Sequence, residues 1–170
     1  LQDIETEGGH GHEPGAPETG QDALVAGDHG LDGFGADLFL PPGKGQDLLL
    51  QAWGRVSPGF PRVRLILAGG SGKRDVPYVT GLESHASEAS FRGTVELAGH
   101  VEDVPGYLAS LDLFVFPSRD EAYGVALVEA MAAGLPVLGA SSGGVLEIIR
   151  EGRDGLLFRP QDPQALAGDA

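Results

Sequence analysis

Glu121 and Glu129 stand eight positions apart and bracket the dipeptide Tyr123-Gly124. From Gly124 the chain reads Gly-Val-Ala-Leu-Val-Glu-Ala-Met-Ala-Ala-Gly. That is a helix apolar on nearly every side, which places it in an interior. A carboxylate there is costly without partners. At a rise of ~1.5 Å per helical residue the two carboxylates lie on the order of 10 Å apart. This is too far for a shared proton, but it suits the two ends of one elongated polar ligand. The helix start at Tyr123-Gly124 offers backbone N–H groups and the positive end of the helix dipole, which together make an anion site. Gly124 is expected to let a ligand approach the backbone closely. The segment thus presents a hydroxyl acceptor, a phosphate cradle and a second hydroxyl acceptor. A nucleotide-sugar carries sugar hydroxyls, a diphosphate and ribose hydroxyls in that order. The competing reading pairs Glu129 with a buried arginine and leaves Glu121 solvated. It fits either residue alone better than it fits the pair with a helix start between them.

Other motifs carry less. Gly69-Gly70-Ser71-Gly72-Lys73 lacks the glycine a phosphate-binding P-loop needs five residues before its Gly-Lys pair, where Leu67 stands, and has Arg74 in place of the following Ser or Thr. A tight strand-to-helix turn is the reading that remains. No Gly-x-Gly-x-x-Gly with a downstream ribose-binding acid stands out, which disfavours a nicotinamide dehydrogenase. The Gly-His-Gly-His run ending at His12 sits in an acidic stretch and carries no metal assignment. His100 reads as a loop residue, Trp53 as core, and Glu147 as part of the packing of a short helix. Arg119 and Asp120 read as a local ion pair of little worth.

The elements that must position these residues alternate. Leu48, Leu49, Ala52, Trp53 and Val56 recur at helical spacing, with Asp47 in the first turn. Strands are expected over 63–68, 94–98, 113–116, 136–140 and 155–158. Helices are expected over 78–89, 104–111, 124–133 and 145–150, and one begins at 163. A short strand is expected over 36–40. The strands are continuous apolar runs, as in a sheet covered on both faces. The fold class is α/β, a doubly wound parallel sheet, whose ligands sit beyond the carboxyl ends of the strands.

Composition sets the frame. The 170 residues suffice for one ordinary domain, and the 41% hydrophobic and 21% charged content is globular. With no cysteine there is no disulfide or thiol chemistry. A net charge of −14 argues against nucleic acid as a partner. The best apolar run, 125–140, is interrupted by Glu129 and is no membrane span. No basic stretch followed by an apolar run opens the chain, so a secretory signal is not expected. Residues 1–43 hold nine acids, ten glycines, four prolines and no Lys or Arg, whereas the rest holds 16 acids and 11 bases, a net of −5. Residues 1–41 are therefore read as a disordered acidic, glycine-rich leader, and 42–170 as the domain.

The Glu121-to-Glu129 segment resembles the Glu-x7-Glu motif of the family-4 retaining glycosyltransferases of GT-B architecture. Its surroundings agree: Lys44-Gly45 with Asp47 through Trp53, Leu65 through Gly69, Gly99-His100-Val101, Leu111 through Ser118, Glu129 through Val137, Gly143-Gly144 with Glu147, and Asp154 through Phe158. The resemblance covers about residues 44–167. It implies one Rossmann-like half of a GT-B enzyme, the domain that binds a nucleotide-diphosphate sugar for retaining hexosyl transfer to an acceptor that the sequence does not identify. It implies that Glu121 contacts hydroxyls of the transferred sugar and that Tyr123, Gly124, Val125 and Ala126 cradle diphosphate and sugar through their backbone. Glu129 would bind the ribose, Lys44 would neutralise the diphosphate and stabilise the leaving group, and the backbone near Val101 would face the base. Neither a metal nor a cofactor is implied. The expected location is cytoplasmic, and any peripheral membrane contact would come only through an amino-terminal domain.

Two departures stand out. The family's Gly-Arg pair ahead of Lys-Gly is replaced by Leu38-Phe39, and the chain has no room for an acceptor domain and stops inside its last helix. The isolated chain is therefore expected to show weak or no transferase activity. Residues 1–43 are read as the scar of a truncated or frame-shifted gene. The alternatives are a non-catalytic nucleotide-binding or interaction module of doubly wound fold and a sugar-nucleotide epimerase.

Overall fold

The computed structural model describes residues 23–27, 42–69, 76–91 and 93–168. Among the described residues six strands form one sheet: β1 (Ala23–Gly27), β2 (Arg64–Ala68), β3 (Val95–Gly99), β4 (Leu113–Phe116), β5 (Val137–Ala140) and β6 (Leu156–Phe158). The order across the sheet is β3-β2-β1-β4-β5-β6, and every pairing is parallel. The α-helices of the described residues connect or follow the strands: α1 (Gln46–Val56), α2 (Val76–Ala86), α3 (Val104–Ala109), α4 (Val125–Ala132), α5 (Val145–Ile148) and α6 (Pro163–Leu166).

The continuous apolar strands are explained by helices on both faces. Successive side chains of a strand point to opposite faces. Ile66, Ala68, Phe114 and Phe116 join one core, with Val104 and Leu108 of α3, Ala126, Leu127 and Ala130 of α4, and Val145 of α5. Leu65, Leu67 and Val115 join the other, with Leu49, Leu50 and Trp53 of α1 and Leu82 of α2. Trp53 is core, and its Nε1 donates to Thr94 Oγ1 at 3.0 Å. No helix of the described residues is long and apolar enough to cross a membrane.

The main departure from expectation is β1. Residues 23–27 fall within the segment read as a disordered leader, yet they form the strand that pairs with both β2 and β4. The physical reason is local: Ala-Leu-Val-Ala-Gly is a short apolar run, and the acids and glycines around it conceal it from a composition argument. The strand expected over 36–40, Leu38-Phe39, His12 and the glycine loop from Gly70 to Lys73 lie outside the described residues. Elsewhere the elements match the expected ones to within a few residues, and β4 matches at both ends.

The strand order fixes where a site can form. Chain order runs outward from β1 toward β3 on one side and from β4 toward β6 on the other. The connections therefore leave β1 and β4 in opposite directions and open a crevice at their carboxyl ends. The turn at residues 42–44 lies on the connection leaving β1, and residues 117–124 lead from β4 into α4.

Candidate active site

The crevice brings Lys44 and Glu121 together. Lys44 ends a 3-10 turn, Pro42–Lys44, that leads into α1. Its Nζ lies 2.9 Å from Glu121 Oε2 although 77 positions separate the two in the chain. Gly45 makes this approach feasible. Its φ of +78° is the left-handed region, and a Cβ there would lie 2.2 Å from the Pro117 carbonyl oxygen. A side chain at this position would force the Lys44 turn and the loop after β4 apart.

Glu121 is gripped from several directions. Its Oε1 accepts from the backbone N–H of Tyr123 at 3.2 Å and of Gly124 at 3.1 Å. Ser118, buried, directs its hydroxyl at Oε2 from 3.4 Å. The Glu121 carbonyl accepts from Gly144 N–H at 2.7 Å. The turn after β5 is pressed against this backbone: a Cβ on Gly143 would lie 2.3 Å from the Glu121 carbonyl oxygen, and one on Gly144 2.5 Å from that of Ala122. Burial alone would raise the Glu121 carboxyl. The Lys44 hydrogen bond, the Gly124 and Tyr123 amides and the Lys44 charge outweigh it and hold the group below its ordinary value.

This geometry bears on two expectations. The N–H groups of Tyr123 and Gly124, read as a phosphate cradle, are engaged by the carboxylate of Glu121 itself. Val125 and Ala126 open α4, and as at any helix start their N–H groups have no acceptor within the helix. Gly124 takes φ +62° as the cap of α4, and a Cβ there would meet Ile148 Cδ1 at 2.7 Å. The positive φ at helix entry by itself favours glycine there, whereas the flexible end of Ile148 can shift aside.

Tyr123 is 82% exposed. Glu129 is half-buried on α4, and Val101 packs its side chain into the core, which leaves only its backbone for a ligand. His100 is exposed just after β3.

Arg119 does not pair with Asp120. Its Nη2 donates to Asp47 Oδ2 at 2.7 Å, its Nη1 to the Pro42 carbonyl and its backbone N–H to the Gly43 carbonyl at 2.8 Å. Tyr78 Oη lies 3.1 Å from Asp47 Oδ1, on the other side of the carboxylate. Burial would raise Asp47, but the Arg119 hydrogen bond and charge, the Tyr78 hydroxyl and the Leu48 amide together lower it. Burial and the Asp47 charge push the Tyr78 phenol up to about 12. Sequence reasoning missed this cluster because its partners are distant in the chain.

The family model for glycosyl transferases group 1 matches residues 34–170. The chain belongs to the group 1 glycosyl transferases. Among relatives of this family, it is 33% identical over 132 residues to mannosylfructose-phosphate synthase of Agrobacterium fabrum, a match covering 75% of this chain and 29% of that protein. It is 30% identical over 136 residues to the GDP-mannose-dependent alpha-(1-6)-phosphatidylinositol monomannoside mannosyltransferase of Mycolicibacterium smegmatis, covering 75% and 34%. The chain thus spans about a third of the length of these relatives. The crystal structure of Anabaena HepE in complex with UDP and glucose superposes with a TM-score of 0.75 at 29% identity, covering 88% of this chain and 38% of that one. The fold is one Rossmann-like half of the GT-B architecture. These matches favour neither the epimerase nor the non-catalytic module.

Proposed function

We propose that this group 1 glycosyl transferase chain is the donor half of an enzyme that transfers a hexose from a nucleotide-diphosphate sugar with retention of configuration. The observation that carries the reading is the Lys44–Glu121 pair, set at the crevice between β1 and β4 beside the start of α4. Charge develops on the leaving diphosphate during transfer, and a fixed cation stabilises it there. Lys44 supplies that cation, assisted by the N–H groups of Val125 and Ala126. Glu121 accepts from hydroxyls of the sugar, Glu129 from those of the ribose, and the backbone near Val101 faces the base. The reading assigns no metal to the site and places the chain in the cytoplasm. The HepE structure contains UDP and glucose, whereas the mycobacterial relative is named for GDP-mannose, so both donor types belong in the test.

Titration calorimetry of the full chain with UDP-glucose, GDP-mannose and ADP-glucose checks the reading. It predicts saturable binding of at least one donor, lost in Glu129→Ala and weakened in Lys44→Ala. Absence of binding by a folded wild-type chain would overturn it.

A further inference from the structure

Three bonds from Arg119 reach the chain on both sides of Lys44. They end on the carbonyls of Pro42 and Gly43 before it and on the carboxylate of Asp47 after it. Within the turn itself the hydrogen bond from Gly45 N–H to the Pro42 carbonyl is long, at 3.4 Å. Among the described residues, the turn is thus held from outside as well, by a residue two positions before Glu121. A lysine side chain is a flexible four-carbon stem, so where its ammonium sits depends on where its backbone is anchored. We propose that Arg119 is a positioning residue, a clamp that fixes the Pro42–Lys44 turn on the loop after β4 and so holds Lys44 against Glu121. The proposal rests on the donor-site reading only for its consequence in ligand binding.

The chemistry separates a clamp from a direct ligand. The guanidinium is committed to Asp47, whose other oxygen faces the Tyr78 hydroxyl. Its charge is balanced within the protein, and its two terminal nitrogens serve two different chain segments. Only a planar fork spans both a carbonyl and a carboxylate in this way. A lysine at 119 would carry all its donors on one nitrogen and would not reproduce this two-pronged reach.

The test uses the full chain as wild type, Arg119→Lys, Arg119→Ala, Asp47→Asn, Lys44→Ala and the Lys44→Ala/Arg119→Ala double variant. Two readouts are taken. The first is the titration of the Glu121 carboxyl, followed by NMR without ligand. The second is the affinity for UDP, GDP and ADP beside UMP, GMP and AMP. Released from the clamp, Lys44 withdraws, and its hydrogen bond and charge no longer lower the Glu121 carboxyl. Its midpoint in Arg119→Ala therefore rises toward the ordinary carboxylate range, with Arg119→Lys and Asp47→Asn in between. In the Lys44→Ala background, Arg119→Ala produces no further change. Diphosphate affinity falls about tenfold in Arg119→Ala, the equivalent of one charge-assisted contact, while monophosphate affinity falls less.

An unchanged Glu121 midpoint in Arg119→Ala overturns the clamp, as does a full Arg119→Ala loss that persists without Lys44. Failure of every nucleotide to bind wild type overturns the donor reading instead, and the Glu121 titration still decides the clamp. If Arg119→Ala unfolds, Arg119→Lys and Asp47→Asn carry the same comparison.

Discussion

Gly45→Ala should force apart the two halves of the site. The residue follows Lys44 directly and has φ +78°. An alanine in the left-handed region costs about 1–2 kcal/mol. Its Cβ would start 2.2 Å from the Pro117 carbonyl oxygen and 2.9 Å from the carbonyl carbon. Relief requires a movement of about 1 Å to reach ordinary contact, and overpacking of that kind costs about 1–3 kcal/mol. The total is about 2–5 kcal/mol, a large share of the stability of a typical domain. The control lies two residues away. Gly43 has nothing within 4 Å of a Cβ and no positive φ, so Gly43→Ala should shift stability by no more than about 0.5 kcal/mol. Urea unfolding of both variants, with slopes compared to confirm a common denatured state, measures the difference. Equal midpoints for Gly43→Ala and Gly45→Ala, or a Gly45→Ala loss below about 0.5 kcal/mol, would refute the argued contact between the Lys44 turn and the loop after β4.

Two further outcomes rest on the same cluster. Asp47 and Glu121 are held below their ordinary values of 3.8 and 4.5. A carboxylate with a lowered folded pKa adds stability that is complete above its unfolded value and is lost as pH falls through the folded one. The urea midpoint should therefore be insensitive to these two groups above about pH 5 and drop below it, with a shallower drop in Asp47→Asn; parallel curves would contradict this. Gly144→Ala should push the Ala122 carbonyl out of place, since its Cβ would lie 2.5 Å away. NMR titration should then show the Glu121 midpoint moving toward its ordinary value, and an unmoved midpoint would show that the turn after β5 does not support Glu121.

Some of this is legible in the sequence because it depends on neighbours. The apolar run that becomes β4 and the proline that stops it are local, as is the glycine that ends α4. The segment from Glu121 to Glu129 is also local, and folding sets its first carboxylate beside Lys44. β1 was not legible: four apolar residues and a glycine do not outweigh the acids and glycines that surround them, and only pairing with β2 and β4 marks them as a strand. Arg119 shows a different limit. Its neighbour Asp120 is the obvious partner by proximity, yet folding delivers Asp47, 72 positions away, and the Pro42 carbonyl, 77 away. The same holds for Tyr123 and Gly124. Spacing shows that N–H groups face outward at a helix start, but not that a side chain two or three residues earlier folds back to take them.

The most direct test of the donor-site claim is a map of backbone amide shifts on the full chain as UDP, GDP or ADP is added. The account predicts saturable shifts confined to Lys44 and Gly45, Val101, residues 121–126 and Glu129, at the carboxyl ends of the strands. Shifts elsewhere on the sheet, or none at saturating nucleotide, would contradict it.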